Sequence, residues 1–499
     1  MGLPSMSVPT FLRAPPFPQH RAVISAPAAT ARPLPADALD LLRQARVGGD
    51  CWSAQDAWSA LENAGHLTAD GADERIAIAA LLDLPVTVLT PGAYGVPGDS
   101  PQALRTRLTD LLQAQRYIDP FTGADSTFEA TVALLAQWRA EITANRTIAA
   151  ASGMAWWKRD EIRRFLWVPE RPLRFVRNAA RALAVARKVK GAVAVWPSRV
   201  SPALLAAAHA QDTGIVRIED GFVRSVGLGS NLVPPASVVV DTRGIHFDPA
   251  TPSDLEHILA TTAFTSALTT RAQTLRKRIV TAGISKYAAQ TNAPAPPRDP
   301  NRKRILVPAQ VEDDMSVLAG GGGLTSNLEL LRRVRALEPD AEIWFRPHPD
   351  VDAGHRKGAV PDAEALRYAD AVMRGGGMAP LLDVVDAVHV LTSLTGFEAL
   401  MRGADVTCHG TPFYAGWGLT RDLGAVPDRR KRTLTLDQLV AGVLILYPRY
   451  LDPVTGLPCP PEVLVMRIAS AQATNRLGWV APLRRWQGRF MTRLRALAG

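Results

Sequence analysis

Three cysteines in 499 residues, Cys51, Cys408 and Cys459, with no two at CxxC spacing, leave neither a disulfide framework nor a zinc set to build on. Such scarcity fits a reducing compartment. No apolar run reaches the roughly 18 residues of a membrane span; the longest, Leu439 to Leu446, falls well short. The opening stretch, MGLPSMSVPTFLRAPPFPQHRAV, lacks the continuous apolar segment of a secretory signal. These absences point to the cytoplasm. Acid is the scarcer charge, with 47 Asp+Glu against 57 Lys+Arg. That excess suits an anionic partner, whether nucleotide, phospholipid or nucleic acid, without choosing among them. What is present is apolar: 47% hydrophobic and 21% charged residues exclude global disorder. At roughly 150 residues per domain the length suggests two to four units.

Residues 1–36 are rich in Pro and Ala and read as a flexible leader. Residues 37–190 read as mainly helical. From 191 short apolar runs alternate with helical stretches, the pattern of a parallel α/β sheet. The expected strands are Ala192–Trp196, Ile215–Ile218, Val238–Val240, Ile305–Val307, Ile343–Phe345 and Val388–Leu391. Capping-box signals at Ser253–Glu256 and Ser326–Glu329 start helices between them. The stretch 291–301, rich in Pro and Asn, reads as a linker that divides this region into 191–300 and 301–470. One repeat is visible: Arg116-Tyr117-Ile118-Asp119-Pro120-Phe121-Thr122-Gly123 returns as Arg449-Tyr450-Leu451-Asp452-Pro453-Val454-Thr455-Gly456. The simplest account is one full module following the tail of an earlier one that has lost its body, which makes 37–190 a remnant.

Several polar strings fall just beyond the expected strands, where open α/β sheets bind ligands. Glu219-Asp220-Gly221-Phe222-Val223-Arg224 offers two carboxylates and an arginine for acid–base work; a solvated strand end with a local ion pair is the plain alternative. Glu312-Asp313-Asp314 crowds three carboxylates, which raises pKa values or attracts cations, unless it is an acidic loop or helix cap. Arg346-Pro347-His348-Pro349 fixes an imidazole between two prolines, ready to donate to a phosphate oxygen or to serve in a turn. Thr392-Ser393-Leu394-Thr395-Gly396-Phe397-Glu398 puts hydroxyls and N–H groups at a helix start, an anion site or an ordinary cap. In His409-Gly410-Thr411-Pro412-Phe413-Tyr414-Ala415-Gly416-Trp417, small residues between aromatics suit close packing on a ligand or a packed surface loop.

Taken in order from 191 to about 470, these strings resemble the capsular polysaccharide Kdo transferases of the KpsC type. The resemblance rests on EDGFVRSVGLGS, VVVDTRGIHFDPATPSDLE, ISKY, EDDMSV, TSNLELLRRVRALEPDAEIWFRPHPDV, TSLTGFEAL and GTPFYAGWGLT. It implies an α/β, GT-B-like pair of Rossmann-type domains, 191–300 on the acceptor side and 301–470 binding the CMP-sugar, preceded by the helical region. It also implies a retaining transfer of Kdo from CMP-Kdo to a lipid-linked Kdo acceptor, building the poly-Kdo linker of a capsule. Asp314 then becomes the nucleophile of a double displacement. Glu219 or Asp220 manages the acceptor proton, and His348 serves the CMP phosphate. Arg224, Lys286, Arg346, Ser393, Thr395, Gly396 and Glu398 complete the substrate-binding set. CMP is a good leaving group, so no metal or cofactor is called for. The chain departs from the family pattern at Val195–Arg199, usually Gly-rich, and at Ala288, usually Asn.

The basic tail 471–499 carries Leu483, Trp486, Phe490, Leu494 and Leu497 at helical spacing among arginines. It reads equally as an interfacial helix on anionic lipid of the inner membrane or as a helix docked on the protein. Two other functions stay open, a non-catalytic scaffold for other capsule-assembly proteins and a related transferase using another nucleotide sugar. Nucleic acid is not expected, because the arginines do not interleave with aromatics on a recognisable module.

Overall fold

The computed structural model describes residues 10–224, 233–285, 298–354 and 356–470. The chain forms two compact units, the first made of 1–149, 163–174 and 454–459, and the second of 150–162, 175–453 and 460–499.

The first unit is helical, with helices such as Pro101–Gln113 and Phe128–Asn145, but it also contains strands. Ser25–Pro27 pairs antiparallel with Gln115–Tyr117, and Leu67–Ala69 pairs parallel with Val86–Val88 across a helix at Arg75–Leu81. Residues 10–36 are therefore not a flexible leader. Phe11 and Leu12 are buried, and Arg13 pairs with Glu74 at 2.6 Å. The proline-rich composition hid two apolar anchors and a strand.

In the second unit the strands are β1 (Ile148–Ser152, entering from the first unit), β2 (Ala192–Val195), β3 (Ile215–Asp220), β4 (Ser237–Asp241), β5 (Arg304–Pro308), β6 (Glu342–Arg346), β7 (Ala371–Val372), β8 (Ala387–Val390), β9 (Asp405–Cys408), β10 (Arg421–Asp422) and β11 (Pro448–Leu451). Within one seven-stranded sheet the order runs β1-β2-β3-β4-β11, and the other sheet runs β7-β6-β5-β8-β9-β10. All six strands expected from sequence form. β1 was not expected, and it puts the start of the first sheet well before residue 191. Its Ala149-Ala150-Ala151 core has neither β-branching nor alternation and reads as the end of the preceding helix. The second sheet is wholly parallel, and Ile305, Leu306 and Val307 of its central strand are fully buried, as helices on both faces require.

The two repeat copies make matching contacts. Tyr117 lies opposite Ser25 as Tyr450 lies opposite Ser237. Ser25 Oγ donates to the Leu12 carbonyl as Ser237 Oγ does to that of Val223. Each tyrosine hydroxyl donates to a leucine carbonyl shortly before it, Leu112 or Leu444.

Candidate active site

In the second sheet the chain runs outward from β5 to β7 on one side, then crosses to β8 and continues the other way. This reversal between β5 and β8 opens a crevice at the carboxyl ends of the strands. Buried Gln310, just past β5, ties the two sides together. Its Oε1 accepts from the Thr392 N–H at 2.8 Å and its Nε2 donates to Thr392 Oγ1 at 3.0 Å. Asn327 clamps the Gln310 backbone at both N–H and carbonyl.

The three carboxylates that follow do not form a repelling cluster, because each has its own partner. Glu312 accepts from the Asn327 N–H at 2.9 Å. Asp313 pairs on the surface with Arg356 at 3.0 Å. Asp314 caps the helix Met315–Gly320, its Oδ1 accepting from the N–H and Oγ of Ser316 at 3.0 and 2.7 Å. Among the described residues its Oδ2 has no hydrogen-bond partner. One oxygen thus fixes the carboxylate while the other remains for chemistry.

After β6, the strand paired with β5, His348 Nδ1 accepts from the Asp350 N–H at 3.1 Å, which places the proton of the neutral ring on Nε2. Arg346 is buried, and its guanidinium donates to the carbonyls of Met373, Gly375 and Gly376. Burial lowers its pKa, and the side chain shapes the loop after β7. After β8, Ser393 caps the helix Leu394–Arg402, accepting from the Thr395 N–H at 3.2 Å and donating to Thr395 Oγ1 at 3.0 Å. Glu398 is buried in the same helix. Lys286 and the helix expected in the tail lie outside the described residues.

Gly396 is a packing requirement. A Cβ there would lie 2.2 Å from the Tyr414 hydroxyl oxygen, on a ring with no exposed surface that donates to the Ser393 carbonyl. Gly396→Ala is expected to destabilise the protein by about 1–3 kcal/mol through overpacking, read as a lower urea midpoint. The string around Tyr414 is thus interior, since Phe413, Tyr414 and Trp417 are all buried. The Thr411 N–H donates to the Gly320 carbonyl at 2.7 Å, so this loop backs the helix that Asp314 begins.

At the end of β3, Glu219 and Asp220 are successive strand residues and face opposite sides of the sheet. Asp220 takes Lys158 Nζ at 2.9 Å and Arg224 Nε at 2.6 Å. Burial alone would raise the Asp220 carboxyl, but Arg224 and Lys158 override it and hold the group well below the usual carboxylate range. Asp220 is therefore a fixed anion. Arg224 is spent on it and on the Val233 carbonyl. Glu219 accepts from the Asp220 N–H at 2.9 Å. Phe222, two residues on, meets Phe413 with ring centroids 4.6 Å apart, which joins this strand end to the loop behind Asp314. Lys158, which also stacks 3.4 Å above the Trp196 ring, was missed from sequence. It lies 62 residues before its partner, in a Trp/Arg/Lys-rich string with no local signal.

Two sheets, the second wholly parallel with a strand reversal, joined where Phe222 packs on Phe413, make a GT-B-like α/β architecture. A family model described as capsule polysaccharide biosynthesis protein matches residues 191–450, and the chain belongs to that family, as a member of its KpsC-type Kdo transferase branch. Two solved structures of Thermosulfurimonas dismutans KpsC are similar at 32% identity. Its β Kdo 2,4 transferase gives a TM-score of 0.55 over 64% of this chain and 98% of that one. Its β Kdo 2,7 transferase gives 0.53 over 65% and 99%. Capsule polysaccharide modification protein LipA of Neisseria meningitidis serogroup A is 42% identical over 345 residues, 69% of this chain and 48% of that protein. Lipopolysaccharide-processing protein LpsZ of Rhizobium meliloti is 43% identical over 258 residues, 51% of this chain and 58% of that protein. The chain spans about half the length of these curated relatives.

Proposed function

We propose that the chain is a retaining glycosyltransferase that moves Kdo from CMP-Kdo onto a lipid-linked Kdo acceptor, extending the linker of a capsular polysaccharide at the inner membrane. The observation that carries this is the half-occupied Asp314 carboxylate at the strand reversal, in a fold shared with two Kdo transferases. Asp314 Oδ2 attacks the anomeric carbon and CMP departs. His348, with its proton on Nε2, donates to the leaving phosphate, and Ser393, Thr395 and the helix start hold it. Glu219 then takes the proton of the acceptor hydroxyl as that oxygen displaces Asp314. Asp220, locked between two cations, positions the strand end and does not exchange protons.

The first unit fits the reading of a reduced earlier module. It keeps the strand pairing and hydrogen bonds of the repeat, but among the described residues only the helix Ala57–Glu62 lies between the helix Ala38–Ala45 and the strand Leu67–Ala69, with no counterpart of β5 and β6, the strands that precede Asp314 and His348.

Thermal shift with CMP, UDP and GDP, followed by product mass with CMP-Kdo and a Kdo-primed lipid mimic, tests the donor. CMP alone should raise the melting temperature, because a ligand that binds the native state stabilises it, and one Kdo should be added. Stabilisation by UDP or GDP instead, with no Kdo product, rejects the reading.

A further inference from the structure

A second cavity, of about 420 Å³, opens in the second unit at the ends of β1 and β2, away from the strand reversal. Met154, Trp156, Arg159, Phe175, Arg177 and Arg199 line it. Gly153, at φ +75°, turns the chain out of β1 so tightly that a Cβ would sit 3.2 Å from the Arg199 carbonyl oxygen, which brings two of the walls together.

The charge of this cavity is uncompensated. Arg177 and Arg199 are exposed and, among the described residues, have no carboxylate partner. Arg159 donates to the Met154 carbonyl at 3.4 Å and lies 5.5 Å over the Phe175 ring. The undescribed segments contain no Asp or Glu to neutralise the three. Trp156 stands at the rim, 65% exposed. An exposed indole offers an apolar face to the C–H side of a pyranose ring, and guanidinium groups take a carboxylate in paired hydrogen bonds. The 3₁₀ turn Trp156–Lys158 that supplies this indole also sends Lys158 to Asp220. The turn thus links a wall of the cavity to the end of β3 through Asp220.

We propose that this cavity is the acceptor subsite and that it takes a saccharide bearing a carboxylate. This rests on the transferase reading above. Isothermal titration of the full chain with the methyl glycoside of Kdo tests it, beside Arg177→Gln/Arg199→Gln and Trp156→Ala. Wild type should bind, and each variant should bind at least tenfold more weakly, while stabilisation by CMP stays as in wild type. The methyl ester of the same glycoside should bind wild type as weakly as the free acid binds the double variant. No binding to wild type, equal binding by wild type and double variant, or equal binding of acid and ester overturns the proposal. Tighter binding of glycerol 3-phosphate than of the glycoside also overturns it, by putting a lipid headgroup there. If CMP fails to stabilise any of the proteins, the donor reading falls, whereas the sugar titration still decides what this cavity binds.

Discussion

Asp314→Asn is expected to leave a folded protein that still binds CMP and transfers no sugar. The substitution separates the two things this side chain can do. As a cap, Asp314 uses one oxygen to accept from Ser316, and an asparagine carbonyl accepts the same bond about as well. The helix Met315–Gly320 should survive, and the urea midpoint should not move. As a nucleophile, the residue needs a carboxylate oxygen, which an amide does not supply. Loss of a covalent nucleophile typically costs at least about 10³-fold in turnover. Intact mass after incubation with CMP-Kdo and no acceptor should show a protein carrying one added Kdo in wild type and none in the variant. Asp314→Ala is the poorer probe, because it also removes a cap worth about 1 kcal/mol. If Asp314→Asn transfers at the wild-type rate, Asp314 is a helix cap and the double displacement is wrong.

The second, parallel sheet was largely legible because its central strands are buried on both faces. Ile305-Leu306-Val307, Ile343-Trp344-Phe345 and Val388-His389-Val390 stand as short apolar runs bounded by polar or turn residues, and each forms a central strand. The serine caps were equally readable. Ser253 Oγ accepts from the Glu256 N–H and Ser326 Oγ from the Glu329 N–H. What lay outside local pattern was the use of the partner glutamate. Glu256 turns to Arg429 and Arg430, at 2.7 and 2.6 Å, a contact across more than 170 residues. The same distance effect hid Lys158. The first unit was least legible, since Phe11 and Leu12 are isolated apolar residues among prolines, and their burial depends on partners far along the chain.

The site was legible in its positions more than in its chemistry. The strings were expected at strand ends, and that is where Asp314, His348 and Ser393 lie. Composition could not tell how each charge is used. Three adjacent carboxylates read as a cluster until their separate partners are known. Arg346 reads as a substrate-binding residue, yet its donors go to the carbonyls of Met373, Gly375 and Gly376. Glu219 and Asp220 read as interchangeable until Lys158 and Arg224 are found on one of them.

That asymmetry yields a contrast between two variants. Lys158→Met is expected to cost about 1.5–3 kcal/mol, the usual worth of a hydrogen bond to a charged group, because Arg224 still neutralises Asp220. The Lys158 and Asp220 side chains are only 9% and 19% exposed, so solvent screens the loss little. Glu219→Gln should leave the urea midpoint close to wild type and lower transfer by about 10²–10⁴-fold, the range for a general acid–base group. Acid titration provides a second readout. The Asp220 carboxyl is depressed in the folded state, so its contribution to stability is present above the usual carboxylate pKa and is lost as pH falls toward the lower folded value. Asp220→Asn should remove that part of the acid-induced loss, and it should be less stable than wild type at neutral pH because Lys158 and Arg224 then face an uncharged amide. Should Glu219→Gln turn over normally while Asp220→Asn folds normally and is inactive, the proton is handled by Asp220, and the two cations tune it where the geometry has them fixing it.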